Sequence, residues 1–183
     1  MIIASQKHKE NIAEYLLYMW QIEDMIRANG LDIDRIKTNI IDKFNLDPAK
    51  EKEMVEWYES LIDMMRREGV EQNGHLQLNK NVIIQLTDLH LALLNDTRFP
   101  SYAAEFYDTL PYIVELRAKA GDNPAGEIET CFNALYGVLM LRLQGKEVTQ
   151  ATREAAAKIG RFLALLAKDY NLDREDKLFP KED

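Results

Sequence analysis

Apolar residues recur at three- and four-residue spacing along most of the chain, with glycine, proline and helix-capping residues at the seams between the periodic stretches. The pattern predicts about seven helices. The first runs from about Ser5 to Asn29 and stops at Gly30. Asp32 caps a short second helix that ends near Asn45. Asp47 followed by Pro48 opens a third, which runs to Glu68 and Gly69. After a loop carrying Asn73 and Gly74, a fourth covers about Asn79 to Asp96. A fifth starts near Pro100 and Ser101 and ends at Gly121. Pro111 in its middle lacks a backbone donor and is expected to kink or split it. Asp122, Asn123 and Pro124 start a sixth that ends at Gly145, and Thr149 caps a seventh reaching about Tyr170. The run 75–78 alternates and 82–86 is β-branched, but the continuation to Leu94 favours one long helix there. Short connections join antiparallel neighbours. The expected fold is therefore all-α: an antiparallel helical bundle, one helix short and one proline-kinked. It forms a single domain over 1–170, with a charged, frayed tail at 171–183.

Projecting each helix on a 100° wheel shows which polar residues fall inside an apolar arc. In the first helix Ile12, Tyr15, Leu16, Met19, Trp20, Ile22 and Ile26 form the arc, and Glu23 falls near its centre. In the fourth, His90 falls among Ile83, Leu86, Leu89, Leu93 and Leu94. In the sixth, Arg142 falls within the arc of Cys131, Phe132, Leu135, Val138, Leu139 and Leu143. In the fifth, Arg117 follows Phe106, Leu110 and Ile113. The third helix (Met54, Tyr58, Leu61, Met65) and the seventh (Ala155, Ile159, Phe162, Leu163, Leu166, Tyr170) have arcs free of charge. An unpaired charge in a bundle interior costs several kcal/mol. Glu23, His90, Arg117 and Arg142 are therefore the candidate ligand-binding residues, around an internal polar pocket. The structural alternative is an internal network in which Glu23 pairs with Arg142, Arg117 or His90.

Composition narrows the chemistry. A net charge of −8 argues against nucleic-acid binding. The longest uncharged stretch, from Thr130 to Leu141, is well short of the ~20 residues that cross a bilayer. No secretory segment is recognisable, so a cytoplasmic protein without a membrane partner is expected. Cys131 is the sole cysteine, which excludes an intrachain disulfide and a cysteine-based zinc site. No phosphate-binding loop, nucleophile elbow or Glu-x-x-His pair is present, so no catalytic residue, metal site or cofactor is assigned. Glu56 with Glu59, and Glu105 with Asp108, are the nearest approach to the acidic pairs of helical nucleotide pyrophosphatases, on faces away from the apolar stripes.

The strings AEYLLYMWQIEDMIRA, NGHLQL, LHLALL and ETCFNALYGVLMLRLQGKEVT, taken together, resemble an uncharacterised all-helical family known from Bacteroidetes, domain-of-unknown-function family 4924. The resemblance covers nearly the whole chain. It implies a cytoplasmic bacterial helical protein and transfers no activity, cofactor or site residue. Three functions follow as expectations: a non-catalytic interaction or scaffold protein forming a homodimer, a small-ligand binder, and a metal-dependent nucleotide hydrolase. The first is preferred.

Overall fold

The structure, a computed structural model, describes residues 2–122 and 124–179. Its regular elements are all helical, with no strand among the described residues. In order they are α1 (Ile2–Glu10), α2 (Ile12–Ala28), α3 (Ile33–Asn39), a 3-10 turn (Ile41–Phe44), α4 (Pro48–Arg67), α5 (Gln77–Asn95), α6 (Pro100–Lys119), α7 (Glu127–Leu143) and α8 (Gln150–Arg174).

Local chemistry sets most of the ends. The Asp32 carboxylate accepts from the Asp34 and Arg35 amides at the start of α3. Asp47 accepts from Lys50 and Thr149 from Thr152 at the starts of α4 and α8, so each supplies an acceptor to an otherwise unpaired first-turn N–H. Asn45 closes the 3-10 turn in the left-handed region at φ 47°, and Gly69 follows α4 at φ 66°.

Several expectations need correction. The predicted first helix is two helices, because the Asn11 side chain accepts from the Ala13 amide and competes with the backbone ladder. With this division, the described residues hold eight α-helices. Pro111 does not split α6, which continues through it from Pro100 to Lys119. The stretch 82–86 is helical, as its continuation to Leu94 led us to expect, and needs no correction. α7 begins only at Glu127, after extended backbone at Gly126, with Glu127 and Glu129 suiting its positive end. Asn123, expected among the starting residues, lies outside the described ones. α8 continues to Arg174, and Asp176 closes it at φ 54°. Beyond it the chain is anchored: Leu178 is buried and the Phe179 ring meets Phe99 edge-on at 5.4 Å. The last residues of the expected tail, 180–183, lie outside the described ones.

The contacts gather into two compact units, divided inside α5 between Val82 and Ile83. The first comprises Met1–Glu10 and Glu14–Val82. Its core joins Met19, Ile22 and Ile26 of α2 to Met54, Tyr58, Leu61 and Met65 of α4, closed by Ile36, Ile41 and Leu76. The second comprises Asn11–Ala13 and Ile83–Asp183. There α8 packs against both α6 and α7, and α6 against α7. Buried Phe106, Ile113, Phe132, Phe162 and Leu166 supply the apolar surface that holds it together.

Candidate functional site

Glu23 sits in the first unit, and burial has left its carboxylate no solvent exposure. It is not an orphan charge. His75 Nδ1 donates to its Oε2 at 2.6 Å, and Oε1 accepts from the Leu76 amide at 2.9 Å and from Asn79 Nδ2 at 2.7 Å. Three donors converge on one carboxylate, the arrangement that makes a buried anion tolerable. The carboxylate can only accept, so the imidazole carries a proton on Nδ1. The ring stacks on Trp20 with centroids 4.2 Å apart and planes 13° off parallel, and its side chain keeps 27% exposure.

The grip extends along α2. One turn after Glu23, Arg27 donates from Nη2 to the carbonyls of Val70 and Gly74, while its Nη1 meets Asp24 at 2.9 Å. Trp20, Glu23 and Arg27 thus share one face of α2 and together hold residues 70–76, the connection into α5. Glu68 adds an acceptor for the Gln77 amide at 2.6 Å. Tyr15 borders the cluster, its hydroxyl pKa raised by burial and by the Glu23 charge. The Asn79 Oδ1 is buried without a hydrogen-bond partner. The partner of Glu23 is therefore His75, not Arg142, Arg117 or His90. His75 lay in the alternating run, where its neighbours gave no sign of a buried carboxylate opposite.

The other candidates lie in the second unit. His90 is 1% exposed and shares a 2.7 Å hydrogen bond between its Nδ1 and the Tyr102 hydroxyl. Phe106 meets its ring edge-on at 4.6 Å. Burial pushes its pKa down to about 4, so it is neutral near pH 7. Its Nε2 stands 3.8 Å from Glu127 Oε2. Burial, then the charges of Asp169 and Cys131, raise the Tyr102 pKa. Asp169 is 8% exposed on a helix expected to bury no charge, and burial raises its pKa too. Arg117 is half-buried and donates from Nε to the Ala125 carbonyl at 3.0 Å, tying α6 to the loop before α7. Arg142 is exposed, contrary to its expected place in the arc. It lies in the last turn of α7, where neighbouring Leu143 is itself 67% exposed, so the arc no longer marks the core there. Cys131 is fully buried, and desolvation pushes its thiol pKa up to about 12.

Glu56, Glu105 and Asp108 of the acidic pairs lie in ion pairs, and Glu59 lines a surface groove. Glu56 lies 3.7 Å from Lys52, Glu105 lies 3.7 Å from Arg161, and Asp108 pairs with Lys158. No group of three or more metal-ligating side chains forms among the described residues.

A family model covers residues 1–177. The chain belongs to the family DUF4924, a domain of unknown function. No curated protein and no solved structure matches it. Within this DUF4924 chain no helix among the described residues is long and apolar enough to cross a membrane.

Among the described residues of the DUF4924 chain, grooves open on the surface of each unit. In the first unit a shallow one of about 660 Å³ is lined by Leu31, Asp32, Glu59, Asp63 and Arg66, among others. In the second unit one of about 330 Å³ runs between α6, α7 and α8, lined by Leu116, Ala134, Val138, Ala155 and Ile159 with Glu115 and Lys119 on its rim. Neither is lined by Glu23, His75, His90, Arg117 or Arg142.

The remaining feature is a stripe. On α6, Ala104, Tyr107, Pro111, Val114 and Ala118 are exposed, at alternating spacings of three and four. Tyr107 is 61% and Val114 56% exposed. The buried residues Tyr102, Phe106, Thr109 and Ile113 occupy the opposite side. α6 is therefore apolar on two faces, only one of which meets the core. A polar residue in an apolar arc marks Glu23 and His90. An apolar residue on a polar face gives the complementary signal, and would have found this stripe.

Proposed function

We propose that this chain is a non-catalytic interaction protein of the bacterial cytoplasm, from Bacteroidetes, that binds neither nucleic acid nor membrane and self-associates as a homodimer through α6. The exposed stripe of Tyr107, Pro111 and Val114 carries the reading. Large side chains spaced in a heptad on a solvent-facing helix are the pattern by which helices pair. The polar residues inside the bundle support a structural role. Glu23 and His90 are both occupied by partners from their own unit. One buried thiol suits a reducing compartment. Sedimentation and light scattering at micromolar concentration are expected to give the mass of a dimer. A monomer at every accessible concentration would remove the reading.

The groove between α6, α7 and α8 supports a second reading, a binder of small apolar molecules. Its volume lies at the lower end of the range of ligand sites, and alanines, Leu116, Val138 and Ile159 line it. Ala155→Trp is expected to fill it. Displacement of a bound apolar dye by that substitution would place a ligand there, and unchanged dye binding would dismiss the groove.

A further inference from the structure

We infer that the partner on α6 is a second copy docked antiparallel, with the two-fold axis passing at Pro111. The inference rests on the self-association reading and specifies its geometry.

The stripe is close to symmetric about Pro111. Reversing the helix about that residue lays Ala104 over Ala118, seven positions away on each side. It brings Tyr107 within one residue of Val114, an offset of about 1.5 Å along the axis. An isologous contact requires this self-complementarity, since each patch must meet its own copy. The alanines at the ends let the two backbones approach, and the bulky pair fills the space on either side of the axis.

Charge argues for a second copy over an oppositely charged partner. Two chains of net charge −8 repel, so an interface between them has to be locally neutral. The carboxylates beside the stripe are matched within each chain: Asp108 by Lys158 and Glu115 by Lys119 at 2.6 Å. Exposed Ile84 and Leu91 on α5 also share a face, but Asp88 stands between them, and a self-pair there would bring two carboxylates together.

The flanks select the antiparallel orientation. Asp108 and Glu115 lie along one side of the stripe, and Ala103, Leu110 and Arg117 along the other. Antiparallel helices bring like flanks together. The charged row, with its own lysines, then meets its copy, and half-buried Leu110 meets Leu110 of the second copy. A parallel pair would set the acidic row over the Leu110 side.

Single cysteines in the full chain test the geometry, because buried Cys131 is silent in the folded protein. A disulfide needs Cα atoms about 4.4–6.8 Å apart. Pro111→Cys sits on the axis and is expected to cross-link to itself on mild oxidation. It restores a backbone donor to α6, so the helix is retained. Tyr107→Cys and Val114→Cys lie off the axis, with each pair about 9–12 Å apart along it. Each alone is expected to stay reduced, while an equimolar mixture forms a heterodimer. Val114→Lys, with helical circular dichroism unchanged, is expected to raise the dimer dissociation constant at least roughly tenfold. Self-cross-linking of Tyr107→Cys or Val114→Cys would mean a parallel pair and overturn the inference. A dimer in which Pro111→Cys stays reduced, or which Val114→Lys leaves intact, would place the interface on another face and overturn it too. In both cases the self-association reading survives, whereas a monomeric wild type removes that reading and the inference together.

Discussion

Glu23 and His75 are 52 residues apart in the chain and 2.6 Å apart in the fold. The carboxylate fixes the imidazole by one hydrogen bond and the start of α5 by two more, to the Leu76 amide and Asn79 Nδ2. A charge in the middle of an apolar helix face is thereby turned into a fastener for the loop that precedes α5.

Removing the fastener is expected to be costly. Glu23→Ala leaves three buried or half-buried donors facing a cavity, and about 3–5 kcal/mol of stability is lost. Glu23→Gln keeps an acceptor for Leu76 and Asn79 and presents its amide to His75, so it is expected to cost about 1 kcal/mol. In that variant Nδ1 has to become the acceptor, and nitrogen NMR is expected to show the His75 proton moved to Nε2. Urea midpoints measure the stabilities. Equal losses in the two variants would show that the carboxylate's acceptors do not hold the loop.

Acid acts on the other histidine. The His90 pKa in the fold, about 4, is below its ordinary value of 6.5, because burial disfavours the cation. Above pH 6.5 the imidazole is neutral in both folded and unfolded chains, and its full contribution is present. As the pH falls from 6.5 to 4 the unfolded chain takes up the proton first, and about 3 kcal/mol is lost across that window. Below pH 4 both states are protonated and the loss stops. His90→Gln removes the titration, so the stability difference between wild type and variant is expected to shrink by that amount between pH 7 and pH 4. A difference independent of pH would mean that the imidazole is hydrated.

Cys131 is expected to be inert while the fold persists. Its thiol is buried and its pKa is pushed up to about 12, so it holds almost no thiolate near pH 7. A disulfide reagent is expected to titrate no thiol in buffer and one per chain in denaturant, with native labelling no faster than unfolding. Rapid labelling in buffer would contradict the packing of α7.

The sequence makes helix starts and interior positions legible for physical reasons. Asp32, Asp47 and Thr149 act on amides two or three residues away, so cap chemistry can be read locally. The same locality misleads at Asn11, where a polar residue inside a periodic run ends one helix and starts another. Periodicity places Glu23 and His90 inside, and both are buried, because the middle of a helix keeps its core-facing direction. It cannot choose the partner of Glu23. That depends on where a loop 52 residues away comes to rest, and His75 carries no local mark of it. Asp169 escapes notice beside Leu166 and Tyr170, on a helix whose arc looks wholly apolar.

Arg117 and Arg142 stand alike in sequence, each near the end of a helix and each inside an apolar arc, yet their surroundings differ. Arg117 is half-buried and its Nε donates to the Ala125 carbonyl, which lies in the connection to α7. A charged donor on a partly shielded carbonyl contributes about 1–3 kcal/mol, and the methylene stem adds packing. Arg117→Ala is therefore expected to cost about 2 kcal/mol. Arg117→Lys, which keeps the charge but lacks a donor at that point in the side chain, is expected to recover less than half of it. Arg142 is exposed, where substitutions change stability by no more than about 0.5 kcal/mol. Urea denaturation of Arg117→Ala, Arg117→Lys and Arg142→Ala under one set of conditions gives the comparison. A cost for Arg142→Ala equal to that of Arg117→Ala would mean that the last turn of α7 packs inward, and that the wheel was right about the face this structure exposes.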